Sequence, residues 1–182
     1  MRDRTLADYL RPGLDIVSIG INPSRYSVDK GFAFARPGNR FWPTLNASGL
    51  VPEALEPGRA AIERLFERYG IGFTDVVKKP SRRADELAER DFEHGARLLQ
   101  RKLLRHKPRI AWFQGVSAYG KFLEHALGVR RRVKPGLQAE RIGATAVFVS
   151  PNPSGANPAA NPRALLPYYR ELKRFRDRLR RR

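Results

Sequence analysis

Asp15-Ile-Val-Ser-Ile-Gly20 runs directly into Ile21-Asn-Pro-Ser24, a β-branched apolar run that stops at a glycine and gives way to a polar turn. That order predicts a buried strand feeding a loop. The same pattern returns twice. Arg109-Ile-Ala-Trp-Phe113 ends at Gln114-Gly115, and Ala144-Thr-Ala-Val-Phe-Val149 ends at Ser150-Pro-Asn-Pro-Ser-Gly155. Ile71-Gly-Phe-Thr-Asp-Val-Val77, bounded by Lys78, Lys79 and Pro80, is a fourth candidate strand. Between them Phe92, Ala96, Leu99 and Leu103 recur at helical spacing until Pro108 stops the run. Asn161-Pro162 offers an N-cap with proline in the first turn, and Leu165, Tyr168, Leu172, Phe175 and Leu179 form one stripe, which predicts a closing amphipathic helix from about residue 162. Strands alternating with helices define an α/β fold with a mostly parallel central sheet. Ligand loops of such sheets gather beyond the carboxyl ends of the strands, so the two Asn-Pro loops are expected to meet.

The 182 residues suit one domain spanning 1–182, without linker or internal repeat beyond the Asn-Pro echo. Thirty-six Lys and Arg stand against 18 Asp and Glu, a net charge of +18. Such an excess concentrates polyanions around the protein and favours a nucleic-acid partner over a ribosomal, membrane-surface or merely arginine-rich reading. No apolar run approaches the roughly 20 residues that span a bilayer, and Met1 to Leu10 is charged rather than signal-like; a cytoplasmic protein, nucleoid-associated if bacterial, with no membrane partner is expected. The chain has no cysteine, which excludes disulfides, iron–sulfur clusters and cysteine zinc sites. His94, His106 and His125 lack metal-ligand spacing, so neither metal nor cofactor is expected.

Gly20-Ile-Asn-Pro-Ser24, Lys30-Gly-Phe-Ala-Phe34 and Pro37-Gly-Asn-Arg-Phe-Trp42 together resemble the first signature region of the mismatch-specific uracil and thymine-DNA glycosylases. Gly70-Ile-Gly-Phe-Thr74, the segment Phe92 to Pro108 leading into Ile110-Ala-Trp-Phe113, and Pro151-Asn-Pro-Ser-Gly155 follow in that family's order, so the likeness covers most of the chain. The resemblance implies a three-layer α/β/α sandwich, extrusion of the target nucleotide into a pocket, and hydrolysis of its N-glycosidic bond in base excision repair. A stacked base cannot present that bond to a protein, and flipping it costs a few kcal/mol, least at mismatches.

By this resemblance Asn22 is the central catalytic residue, placing water on C1′, and backbone N–H groups of the first loop at Ile21 face the departing base. An amide orients water but is too weak a base to deprotonate it. Asp75 follows Thr74 where the best-known relatives carry Asn or Lys, and a carboxylate there can accept the water proton or oppose the oxocarbenium charge. It can equally be an ion-pairing residue, with Lys78, Lys79, Arg82 and Arg83 nearby. Phe34 matches the aromatic that stacks on the flipped base, and Ser27 falls near the pocket.

Asn152, Pro153, Ser154 and Gly155 resemble the second family motif, which enters the minor groove. Where relatives place a bulky or cationic wedge, this chain has Ala156, Asn157 and Pro158. That departure predicts looser reading of the opposite base and a broader substrate range, with Arg163 or Asn157 as substitute probes. Arg36, Arg40, Arg82, Arg83 and the series Arg130, Arg131, Arg132, Lys134 are candidates for phosphate contact. The basic tail from Lys173, with Arg174, Arg178 and Arg182, could add DNA affinity or simply solubilise a helix end. The expected partner is double-stranded DNA carrying mismatched uracil or thymine, with single-stranded DNA a second candidate, bound by a monomer.

Two other classes compete. A noncatalytic nucleic-acid-binding α/β domain would use Asn22 and Asn152 only as turn residues. A metal-dependent nuclease would need several carboxylates at strand ends, where only Asp15 and Asp75 occur. A lysine nucleophile with lyase activity is disfavoured because neither loop motif holds a lysine, although Lys30 lies between Asn22 and Phe34.

Overall fold

The computed structural model describes residues 4–181. One sheet runs in the order β2-β1-β3-β5-β4, built from β1 Ile16–Gly20, β2 Ile71–Asp75, β3 Ile110–Gln114, β4 Gly136–Ile142 and β5 Thr145–Ser150. β1, β2, β3 and β5 are parallel, and β4 pairs antiparallel with β5 at one edge. The helices are α1 Arg25–Lys30, α2 Phe41–Ser48, α3 Arg59–Tyr69, α4 Glu89–His106, α5 Val116–Leu127 and α6 Pro162–Arg180.

Period-two alternation along the strands divides the core into two layers. Val17, Ile19, Ala111, Phe113, Val147 and Val149 meet Phe92, Ala96, Leu99 and Leu103 of α4 and Tyr119, Phe122 and Leu123 of α5. Ile16, Ile71, Phe73, Ile110, Trp112 and Phe148 face the other way, onto α2, α3 and α6 through Phe41, Trp42, Leu45, Leu65, Leu165, Tyr169 and Leu172. Both faces of a parallel sheet are thereby covered, which is the three-layer α/β/α sandwich the sequence predicts.

The β2 candidate ends as a strand at Asp75, two residues short of Val77, but the chain still follows β1, since Val76 and Val77 donate to the Gly20 and Ile21 carbonyls at 2.8 and 2.9 Å. β4 is a strand that the apolar pattern does not announce. Its Gly136-Leu-Gln-Ala-Glu-Arg-Ile142 alternates half-buried and exposed positions on an antiparallel edge, where one face meets water. α6 begins as expected, with the Asn161 side chain accepting from the Ala164 N–H at 3.0 Å. Its far end packs at the start of β1, where Arg180 pairs with Asp15 at 2.5 Å and Arg109 donates to the Leu179 carbonyl at 2.7 Å. Among the described residues no helix is long and apolar enough to cross a membrane.

Candidate active site

The carboxyl ends of β1, β3 and β5 open into a cleft of about 1160 Å³ whose walls include Asn22, Phe34, Asp75, Gln114 and Asn152. Because β3 lies between β1 and β5 in the sheet, the two Asn-Pro loops converge as the topology demands. A Cβ on Gly115, at the end of β3, would stand 3.1 Å from the Asn152 Cβ, which shows how closely the second loop crosses the strand end.

Asn22 is half-buried and its orientation is fixed. Its Nδ2 donates to the Lys79 carbonyl at 3.0 Å and to the Ser81 hydroxyl at 2.8 Å. A carbonyl can only accept, so the nitrogen must face Lys79. Oδ1 is then the atom available to accept from a water or ligand. Ser81 in turn donates to the Arg83 carbonyl at 2.7 Å, and its backbone bridges the first loop at Ser24. Ser81 is thus a positioning residue that motif reading misses, since a lone serine after a proline carries no signal. The N–H groups of Ile21 and Asn22 make no hydrogen bond among the described residues, and both residues line the cleft.

Asp75 is both at the cleft and ion-paired. It lines the cleft, and its Oδ2 is 3.3 Å from Lys78 Nζ. Lys78 also reaches Asp8 at 2.9 Å, which Lys102 holds at 2.6 Å and Thr74 at 2.7 Å. Burial pushes the Asp75 carboxyl above the ordinary carboxylate range, with Lys78 opposing it and the charge of Asp8 adding to it. Burial acts on Asp8 in the same sense, but Lys78, Lys102 and Thr74 outweigh it and hold that carboxyl below its usual range. Asp8 belongs to an N-terminal segment that pairs with β2 through Tyr9 and Phe73 and forms one wall of the cleft with Thr5 and Leu6.

Phe34 has a left-handed backbone, φ +59°, a conformation that costs an ordinary side chain of order 1–2 kcal/mol. The Trp42 indole holds it there, donating to the Phe34 carbonyl at 3.2 Å. The ring stacks on Phe41 with centroids 4.1 Å apart and planes 14° from parallel. Phe41 is fully buried, so one face of Phe34 is covered while the residue borders the cleft. Ser27 is buried beside it, its hydroxyl accepting from Ser24 at 3.0 Å and from the Ala35 N–H at 3.4 Å.

Arg40 clasps the second loop to the first region. Its backbone N–H donates to the Pro153 carbonyl at 2.9 Å, and Nη1 reaches the Ser154 and Asn157 carbonyls, each at 3.0 Å. Its Nη1 is thereby committed to the second loop, although Arg40 also lines the cleft. Asn152 Oδ1 accepts from the Ser154 N–H at 2.9 Å. Pro153 is buried, and both ends of the Asn157 amide are engaged, with the Asn152 carbonyl and the Ala159 N–H, at 3.2 Å each; these two shape the loop from within. Gly155 and Ala156 are exposed at its tip, and Arg163 is exposed on the first turn of α6.

Arg36, Arg82 and Arg83 are exposed along the cleft. Arg130 and Arg131 lie elsewhere, paired with Glu124 and Glu140, and Arg131 holds the Glu140 carboxyl down to about 2. The basic tail sits at the amino ends of the strands, opposite the cleft; Arg182 is outside the described residues. His94 is exposed and His106 ends α4. His125 pairs with Glu89 at 2.6 Å; with Glu124 they form the one metal-sized group among the described residues, already engaged by Lys121 at 2.7 Å from Glu89.

Fold and cleft together describe an α/β sandwich with an amide, a carboxylate and an aromatic ring at the carboxyl ends of its strands. Residues 7–173 match the sequence profile of the uracil DNA glycosylase superfamily. The chain belongs to that superfamily, a class of DNA glycosylases. The solution NMR structure of a candidate uracil DNA glycosylase from Methanosarcina acetivorans shares the fold, with a TM-score of 0.59 and 21% identity over 93% of this chain and 98% of that one.

Proposed function

We propose that this protein is a monofunctional, mismatch-specific DNA glycosylase that flips uracil, and thymine or other modified pyrimidines, out of mispaired DNA and hydrolyses the N-glycosidic bond. The observation that carries this reading is the convergence of Asn22, Asp75 and the ring of Phe34 on one cleft. Phe34, backed by Phe41, stacks on the extruded base. Asn22 Oδ1 holds a water at C1′. As the bond from C1′ to the base nitrogen breaks, its electron pair leaves with the base, where the N–H groups of Ile21 and Asn22 meet the growing negative charge. The water oxygen bonds to C1′ and its proton passes to ionised Asp75.

A lyase needs an amine nucleophile, and among the described residues no lysine lines the cleft; Lys30 sits over the Tyr26 ring instead. Asp75 and Asp85 are the carboxylates bordering the cleft, and Asp75 is paired with Lys78, a poor scaffold for paired divalent ions. Arg36, Arg82 and Arg83 position the duplex as phosphate contacts, and a noncatalytic domain has no use for a strained Phe34 or a locked Asn22. The loop Asn152 to Asn157 enters the groove with Gly155 and Ala156 foremost. Alanine fills little of the hole left by a flipped nucleotide, which supports weak reading of the opposite base and a broad substrate range.

Base release from duplexes with uracil opposite guanine, uracil opposite adenine and thymine opposite guanine, and from single-stranded uracil, tests this reading in chelator-containing buffer. Alkali-dependent strand cleavage is expected to be faster at uracil opposite guanine than opposite adenine, by a modest factor because Ala156 reads the opposite base weakly. No release from any of the four would overturn it.

A further inference from the structure

Beneath the cleft a buried chain of polar side chains crosses three strands. The Trp112 indole N–H donates to the Ser150 hydroxyl at 2.8 Å, Ser150 donates to Gln114 Oε1 at 3.3 Å, and Gln114 Nε2 donates to the Ser18 hydroxyl at 3.0 Å. All four residues are at most 2% exposed. Alternation places Ser18, Gln114 and Ser150 on the sheet face that carries Phe73 and Asp75, and both Ser18 and Gln114 line the cleft.

The direction of this chain is forced from one end. An indole nitrogen can donate but never accept, so the Ser150 oxygen must accept from it. The proton of Ser150, fully buried, then goes to Gln114 Oε1. Turning the Gln114 amide over would give Ser150 a second donor and strand its proton, which costs about 1–3 kcal/mol. With Oε1 fixed, Nε2 faces Ser18 and Ser18 must accept. Its own proton has no acceptor among the described residues. A buried hydroxyl whose oxygen is engaged and whose proton is free is a directed donor on the cleft floor.

We infer that Ser18 donates to the O4 carbonyl of the extruded pyrimidine and that Gln114 and Ser150 are positioning residues for it, an inference resting on the glycosylase reading above. Ser18 lies two residues deeper than Gly20 along β1, about 3.3 Å per residue, and four before Asn22 at the sugar. The base edge that reaches this depth is the one opposite the glycosidic nitrogen, which is C4. Uracil and thymine carry a carbonyl there and cytosine an amine. A fixed donor accepts the first two and opposes the third, so the floor distinguishes deaminated from normal bases in DNA.

The test is single-turnover release of uracil, 4-thiouracil and 2-thiouracil, each opposite guanine, by wild type, Ser18→Ala and Gln114→Leu, with thermal melts alongside. Sulfur is a weak acceptor, so each thio base weakens one contact. Ser18→Ala is expected to slow uracil release roughly tenfold and to narrow the uracil to 4-thiouracil ratio while leaving the uracil to 2-thiouracil ratio unchanged. Gln114→Leu narrows the same ratio less, because the hydroxyl remains but loses its direction. If Ser18→Ala does not fold, Ser18→Cys, a weak donor of similar shape, gives the same change in ratio. Equal losses on all three bases, or a change confined to 2-thiouracil, would overturn the inference while uracil release by wild type keeps the glycosylase reading intact. No uracil release by wild type overturns that reading and this inference together.

Discussion

Gly20 and Asp75 are register partners at the carboxyl ends of β1 and β2, and a methyl group on residue 20 would stand 2.6 Å from Asp75 Oδ1. The glycine is there to admit the carboxylate. Gly20→Ala displaces Asp75 from the cleft without disturbing Asn22 directly, and misplacement of a catalytic group by about 1 Å lowers rates on the order of 100-fold. Stopped-assay kcat on uracil opposite guanine, paired with a melt, checks this: a large drop in kcat with a small change in Tm is expected.

With Asp75 as the proposed base, the pH dependence of catalysis is expected to follow its burial. A base must be ionised to act, so kcat rises with pH through the Asp75 ionisation, and burial places that rise above the ordinary carboxylate value of about 3.9. Lys78→Met removes the opposing charge and moves the rise to higher pH; Asp75→Asn abolishes it. Stability follows the opposite sign. A carboxyl raised in the folded state favours folding below its unfolded pKa and loses that contribution as pH rises through the folded one. Asp75→Asn is therefore expected to melt no lower than wild type at neutral pH while releasing base far more slowly.

Phe34 separates stacking from strain. Glycine adopts φ +59° without cost and alanine does not, so Phe34→Gly is expected to be more stable than Phe34→Ala by about 1 kcal/mol. Both lose the ring, and base stacking of about 1–3 kcal/mol predicts comparable losses of roughly 5- to 150-fold in kcat/KM. Chemical denaturation and steady-state kinetics on the pair measure the two effects independently.

Strand ends were legible where burial on both faces produces a continuous apolar run, as at Ile16 to Ile19 and Ile110 to Phe113. β4 was not, because its alternation runs against burial: Gln138 and Glu140 hold half-buried positions while Leu137 and Ala139 face water. Asn22, Phe34 and Asp75 stand out through the family resemblance, and Asp75 can be weighed there both as a base and as an ion-pair member. Their supports do not. Ser81, Arg40 and Asp8 meet Asn22, Ser154 and Thr74 from 59, 114 and 66 residues away, distances that only the tertiary fold closes. Ser18 is a single hydroxyl inside an apolar strand and carries no signal in the sequence; its partner Gln114 is 96 residues away.

Charge placement predicts which cations engage DNA. Each phosphate contact steepens the fall of log K with log salt by about 0.9. Replacing Arg36, Arg82 and Arg83 with alanine is expected to lower the slope for a uracil-containing duplex by up to about three such steps. Replacing Arg174 and Arg178, which lie toward the opposite pole on α6, is expected to leave it unchanged, as fluorescence anisotropy across a salt series would show.

The central claim is that Asn22, locked by Lys79 and Ser81, places the attacking water. Single-turnover release of uracil opposite guanine by wild type, Asn22→Ala and Ser81→Ala measures it most directly. A loss on the order of 100- to 10,000-fold is expected in Asn22→Ala and a smaller loss in Ser81→Ala, with duplex binding retained in both. Wild-type rates in a folded Asn22→Ala protein would contradict it.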